Sequence, residues 1–159
     1  MTDINYPIPG FRFAVSLMKK DGVNTGQSKQ YDNNFMEVSG ISVEMPTEEF
    51  QEGGENRFIH RFPQPLKYPN LVLKRGRCHA SSSFVDWCKN TFEVGLANGV
   101  TPNNIVIKLL GEDMEPLFKW TFYNAYPVKW SVSGLNSQSN ELVIESIELA
   151  YQRFEEELK

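Results

Sequence analysis

YPNLVLKRGRCHASSSFVDWCKN, Tyr68 to Asn90, changes character within its own length. LVLKRG reads as a short strand. In SSSFVDWCKNTFEVG the apolar residues Phe84, Trp87, Cys88 and Phe92 recur at i, i+3, i+4 and i+8, which is the stripe of an amphipathic helix. Ser83 with Asp86 three residues on has the form of a capping box, and Gly95 suits the helix end. The same stretch holds both cysteines, one of two histidines and the cations Lys74, Arg75 and Arg77. Its density raises the question of reactive chemistry. The spacing answers with a strand-to-helix joint: Phe84, Trp87, Cys88 and Phe92 seat the helix, and Lys74, Arg75 and Arg77 form a basic rim.

Strand patterns lie on either side. GFRFAVSLM puts Phe11, Phe13, Val15 and Leu17 on one face of an extended segment. Residues 19–34 are polar and rich in Asn, Asp and Gly, so they predict an exposed loop. FMEVSGISVEMPTEEF alternates again, with Ile41, Val43 and Met45 against Ser42 and Glu44, and Gly40 marks a bend or bulge. Pro46 ends regular pairing, and residues 47–62 follow as an extended arm or hairpin. NIVIKLL, PLFKWTFYNA, YPVKWSVSG and NELVIESIELAYQRF complete the strands, with EDMEP and GLNSQSN as turns. Seven or eight strands and one helix in 159 residues predict a single mainly β domain, an antiparallel barrel or sandwich with the helix on one face or opening.

Composition bounds function. A net charge of −4 gives no global positive field for nucleic acid or an anionic membrane. MTDINYPIPG lacks the basic start and apolar run of a signal peptide, which predicts a protein made and folded in the cytoplasm. Neither His60 nor His79 sits in a recognisable nucleophile setting. Cys78, His79, Cys88 and His60 lack the paired spacing of a structural zinc site, and Cys88 belongs to the helical stripe. Glu48, Glu49, Glu52 and Glu55 lack a calcium-loop pattern. Trp120, Phe122, Tyr126 and Trp130 read as core. No catalytic, metal or cofactor residue is predicted. Glu145 interrupts the apolar face of Val143, Ile147, Leu149 and Tyr151, so it is either buried beside a cation or turned outward by a bulge.

The ordered set Y-P-x-P-x-F-x-F-x-V, F-x-E-V-S-G-I, L-V-L-K-R-G with S-S-x-F-x-D-W-C, W-T-F-Y-N-A-Y-P-V-K-W and N-E-L-V-I-E-S-I-E-L-A-Y resembles the tail-tube family. That family comprises the tail tubes of T4-type phages and the inner-tube or tube-initiator proteins of contractile injection systems. The resemblance runs from Tyr6 to about Phe154. It implies six-membered rings whose continuous sheet lines a channel, stacked into a tube or joined to the spike hub as an initiator. Partners would be further copies of the chain, a sheath protein, a spike hub or baseplate protein, and cargo passing through the lumen. Neither specific nucleic-acid binding nor membrane insertion is implied. The resemblance extends to a phage virion, an extracellular injection particle or a cell-anchored apparatus.

On that resemblance, Glu48, Glu49, Glu52, Glu55, Arg57, His60 and Arg61 in the arm are ring or stacking contacts. Ser42, Glu44, Lys129, Ser131 and Ser133 are lumen candidates, because they alternate with the apolar residues expected on the core side. The alternative function class is a monomeric β-barrel module that captures a small ligand or peptide among its aromatics. Hexameric rings with a central hole, or a strict monomer at high concentration, separate the two.

Overall fold

The computed structural model describes residues 10, 12–18, 31–32, 35–55, 57–77, 82–135 and 142–158. In chain order the elements are β1 (Phe13–Met18), β2 (Tyr31–Asp32), β3 (Phe35–Ser39), β4 (Thr47–Phe50), β5 (His60–Pro63) and β6 (Leu71–Gly76). They continue with α1 (Ser83–Val94), a 3-10 turn (Gly95–Asn98), β7 (Asn103–Leu110), β8 (Pro116–Val132), β9 (Ile144–Ala150) and β10 (Arg153–Leu158). The fold is mainly β with one α-helix among the described residues, as the periodicity predicts. The described residues form ten strands rather than seven or eight. One of the extra strands, β2, lies inside the predicted 19–34 loop and pairs with β1 through Val15↔Asp32 and Ser16↔Tyr31.

The centre of the fold is a long antiparallel hairpin. PLFKWTFYNA and YPVKWSVSG were expected to be separate strands, but they form the single 17-residue β8. Asn124 explains why no turn intervenes. It takes φ 52°, its backbone N–H donates to Asn104 Oδ1 at 3.1 Å, and its Nδ2 donates to Gln152 Oε1 at 2.6 Å. Asparagine tolerates this left-handed conformation better than most residues, so the strand is re-aimed without ending. β9 and β10 run back along β8, from Val132↔Glu145 through Tyr126↔Ala150 to Phe118↔Leu158. The pairing register is the same before and after the break at Tyr151 and Gln152, so the predicted NELVIESIELAYQRF strand exists with one interruption.

Two antiparallel sheets share this hairpin. β7 pairs only with the first half of β8, giving β2-β1-β7-β8-β10; β6 pairs with β9, giving β8-β9-β6-β3. The path of ladders has free ends at β2 and β3, and no barrel closes within one chain among the described residues. Val15, Ile105, Ile107 and Phe122 from the first sheet meet Leu71, Leu73, Ile147 and Leu149 from the second in one core. Each is almost wholly shielded from water, at 2% exposure or less. Such residues stabilise by about 1.5–3 kcal/mol each on burial.

Helix α1 closes one side of that core through Phe84, Val85 and Cys88, with Trp87 partly buried against it. Phe84 meets Phe35 edge-to-face at 5.3 Å. The seat therefore differs from the predicted stripe. It occupies the first two turns, where Val85 contributes, while Phe92 in the last turn is 41% exposed. Ser82, not Ser83, is the N-cap and makes no side-chain capping bond; Asp86 still lies in the first turn, where the helix dipole favours it. Gly95 ends the helix at φ 57°, its N–H bonding Thr91 O.

Tyr126, expected in the core, is 40% exposed, whereas Phe122 is fully buried. Between the two lies Asn124, whose left-handed backbone changes which way the following side chains point.

A charge-paired sheet face and an aromatic arm

The sheet β8-β9-β6-β3 has two unlike faces because strand side chains alternate. Leu71, Leu73 and Arg75 of β6, Glu145, Ile147 and Leu149 of β9, and Val38 and Trp130 point to the core side. Glu37, Ser39, Val72, Lys74, Ser146, Glu148, Lys129 and Ser131 occupy the other face in two rows. One row is Ser39, Val72, Glu148, Lys129, and the next is Glu37, Lys74, Ser146, Ser131. Lys74 Nζ donates to Glu37 Oε1 at 2.9 Å, and Lys129 Nζ donates to Glu148 Oε1 at 2.9 Å. The Lys129 bond holds the Glu148 carboxyl below its ordinary value. Two cations and two anions thus cancel on an open, polar face.

Beneath that face sits the group the sequence left unresolved. Glu145 is 2% exposed and faces the core. Its Oε2 accepts from Arg75 Nε at 2.7 Å and its Oε1 from Trp130 Nε1 at 2.8 Å. Arg75 therefore leaves the predicted basic rim for a buried ion pair; register decides this, since Arg75 shares the face of Leu71 and Leu73. Lys74 points to the opposite face, and Arg77, beyond the end of β6, is exposed. Burying two charges is costly unless each is paired and hydrogen-bonded, and the geometry here meets that condition.

The arm is a separate two-stranded sheet, β4 with β5, in the register Thr47↔Pro63 to Phe50↔His60. Its charges pair locally: Glu49 with Arg61 at 3.0 Å and Glu55 with Arg57 at 2.8 Å, while His60 Nε2 lies 3.8 Å from Glu52 Oε1. Glu48 Oε2 accepts from Gln64 Nε2 at 2.6 Å. The arm also carries aromatics, which the contact residues read from the sequence do not include. Phe50 lies 6.4 Å from Phe62, and His60 stacks on Phe62 at 6.1 Å and meets Phe58 edge-on at 5.0 Å. Phe50, Phe58 and Phe62 are each more than half exposed. An isolated two-stranded hairpin is marginal in water, and clustered exposed aromatics mark a contact surface.

Ser42 and Glu44 do not continue the polar face. β3 ends at Ser39, and Gly40 at φ 89° approaches Asn70 so closely that a Cβ there would stand 2.1 Å from the Asn70 carbonyl oxygen. Beyond it Glu44 makes only an isolated bridge to Lys67, and Val43 and Met45 are about half exposed or more, so the expected alternation does not sort them by burial. Lys129 and Ser131 do lie on the polar face. Ser133 is just past β8, its Oγ accepting from Ile144 N–H at 3.0 Å. Glu37, Ser146 and Glu148 were missed. Their alternation with Val38, Ile147 and Leu149 was visible in the sequence and could have found them.

Chemistry is sparse. Cys88 is buried, and desolvation pushes its thiol from 9.0 up to about 12. Cys78, His79 and Ser81 lie outside the described residues. Among the described residues no three His, Cys, Asp or Glu side chains cluster as metal ligands, and no helix is long and apolar enough to cross a membrane. The acidic β10 is internally satisfied: Glu155 accepts from Tyr123, Glu156 from Trp120, and Glu157 pairs with Lys119.

The chain belongs to the T4-like virus tail tube protein gp19 family, whose model matches residues 9–155. Among solved structures it is similar to a chain of the anti-feeding prophage baseplate, 6-fold symmetrised, at 27% identity and a TM-score of 0.81, covering 96% of this chain and 97% of that one. It is similar to a chain of the sheath-tube complex of the extracellular contractile injection system PVC in its extended state, at 24% identity and a TM-score of 0.76, covering 98% and 95%. Hcp1 from Flavobacterium johnsoniae shares the fold at 14% identity and a TM-score of 0.54, covering 92% and 94%. No curated protein matches the chain in sequence. The monomeric ligand-binding alternative is not favoured by these findings.

Proposed function

We propose that copies of this chain form homohexameric rings in which the β8-β9-β6-β3 sheet lines a central channel. The observation that carries the reading is that, among the described residues, β3 ends the path of ladders and the Tyr126–Val132 half of β8 pairs with β9 on one side only. β3 and the second half of β8 run in opposite directions at its two sides, since each strand is antiparallel to the next. Joining β8 of one copy to β3 of the next keeps the alternation unbroken around any closed ring, and closure removes edges that would otherwise template aggregation. The likeness to a 6-fold symmetrised assembly supports six copies. The face of paired charges then becomes the channel wall, neutral overall, along which cargo slides without being held.

The arm residues Glu48, Glu49, Glu52, Glu55, Arg57, His60 and Arg61 touch a neighbouring subunit or ring, with the exposed phenylalanines as the apolar part of that contact. Arg77 extends the contact surface at the end of β6. The whole chain acts as one tube-building domain with no catalytic role and no cofactor. It assembles in the bacterial cytoplasm and joins a sheath and a spike hub or baseplate, as repeated tube subunit or initiator. The test is size-exclusion chromatography with negative-stain microscopy of purified protein. Rings with a central hole are expected, and deletion of residues 52–56 is expected to impair rings or stacking while leaving a folded monomer. A strictly monomeric protein at high concentration would overturn the proposal.

A further inference from the structure

We infer that the seam between copies is fastened by an ion pair between Lys129 and Glu37 of the next copy, an inference that rests on the ring reading above. Lys129 and Glu37 occupy opposite edges of the same sheet, on the same polar face. Extending the rows across a β8-to-β3 seam sets Glu37 of the next copy opposite Ser131 and one diagonal step from Lys129. That diagonal, about 7–8 Å between backbones, is within reach of a lysine side chain.

Ring closure requires tilted strands and a staggered register. Any stagger at the seam must be an even number of residues, because an odd one would turn the polar row toward the core. A two-residue stagger in one sense brings Glu37 directly opposite Lys129; in the other sense it sets Ser39 opposite Ser131 and separates the charges. The registers that keep both polarity and charge complementarity therefore bring Lys129 to Glu37.

The pair also completes a pattern. Crossing the sheet from β3 to β8, the charged residues are Glu37, Lys74, Glu148 and Lys129, which alternate in sign strand by strand. A Lys129 to Glu37 seam continues that alternation into the next copy without a break. The wall is then a girdle of opposite charges whose register is specified by the charges themselves. Any neighbour placed so that Lys129 met Lys74, or Glu37 met Glu148, would suffer like-charge repulsion.

Zero-length carbodiimide coupling of full-length protein reads this contact directly, since it joins only an amine and a carboxylate already in contact. Within one chain β6 and β9 lie between the two residues, a gap of about three strand spacings or roughly 14 Å, so a Lys129–Glu37 amide reports an intermolecular seam. Rings assembled from mixed nitrogen-14 and nitrogen-15 protein are coupled, digested and analysed by mass spectrometry. The expected result is a mixed-isotope Lys129–Glu37 peptide that disappears with Lys129→Met while the monomer stays folded. Rings that form and yield only the intrachain Lys129–Glu148 product would overturn the seam and leave the ring reading standing. Absence of rings would overturn both.

Discussion

Removing the Glu145 carboxylate tests the account of the core most sharply. Arg75 and Glu145 are 5% and 2% exposed in their side chains and 2.7 Å apart, and Trp130 donates to the second carboxylate oxygen at 2.8 Å. Glu145→Ala takes the carboxylate from a guanidinium that cannot regain bulk water without opening the sheet. Loss of one partner of a buried pair costs about 3–5 kcal/mol. For a domain of this size that corresponds to a fall in Tm of roughly 6–20 °C. The measurement is urea unfolding at a dilution where the protein is monomeric, with the double variant Arg75→Met/Glu145→Leu alongside. The double variant is expected to recover most of the loss, since an apolar pair avoids desolvating either charge. A single-variant loss below about 1 kcal/mol, or a double variant no more stable than Glu145→Ala, would refute the reasoning that this pair is buried and mutually dependent.

Gly40→Ala places a Cβ against the Asn70 carbonyl at a left-handed φ, so we expect a loss above about 2 kcal/mol and faster hydrogen exchange in Glu37 to Ser39; wild-type exchange there would disprove the close approach. Phe50→Ser with Phe62→Ser is expected to change monomer stability by less than about 1 kcal/mol, because both rings are exposed, yet to reduce ring or tube assembly seen by microscopy; undiminished assembly would remove the arm from the interface. Burial pushes the Cys88 thiol up to about 12 in the folded chain, from the ordinary value of 9.0 that it regains on unfolding. Between those values the unfolded chain binds fewer protons, so stability falls as pH rises, by up to about 1.4 kcal/mol per pH unit. Cys88→Ala should flatten that alkaline slope in a series of denaturation curves, and an unchanged slope would show that another group causes it.

Much of the fold is legible in local pattern. LVLKRG, NIVIKLL and the helical stripe of SSSFVDWCKN all form the elements their periods predict, because a strand or helix needs its apolar residues at a fixed spacing to bury one face. Less legible are the features set by where the chain goes next. PLFKWTFYNA and YPVKWSVSG join into one strand through a hydrogen-bonded Asn124, and Asn104 and Gln152, which hold it, are remote in sequence.

The site divides in the same way. Lys129 and Ser131 follow from alternation along one strand, and the arm from its glycines and charges. That Glu37, Lys74, Glu148 and Lys129 make one charge-cancelling face depends on the register of four strands. A shift of one residue in any of them would send its charge to the core. Arg75 shows the same dependence. The sequence by itself determined the mainly β class, strands such as LVLKRG and NIVIKLL, the helix and the membership of a tube-building family, since these rest on residue type and spacing. Only the tertiary structure decided which of three adjacent cations is buried with Glu145 and which faces outward, because pairing register assigns each side chain its face and its partner.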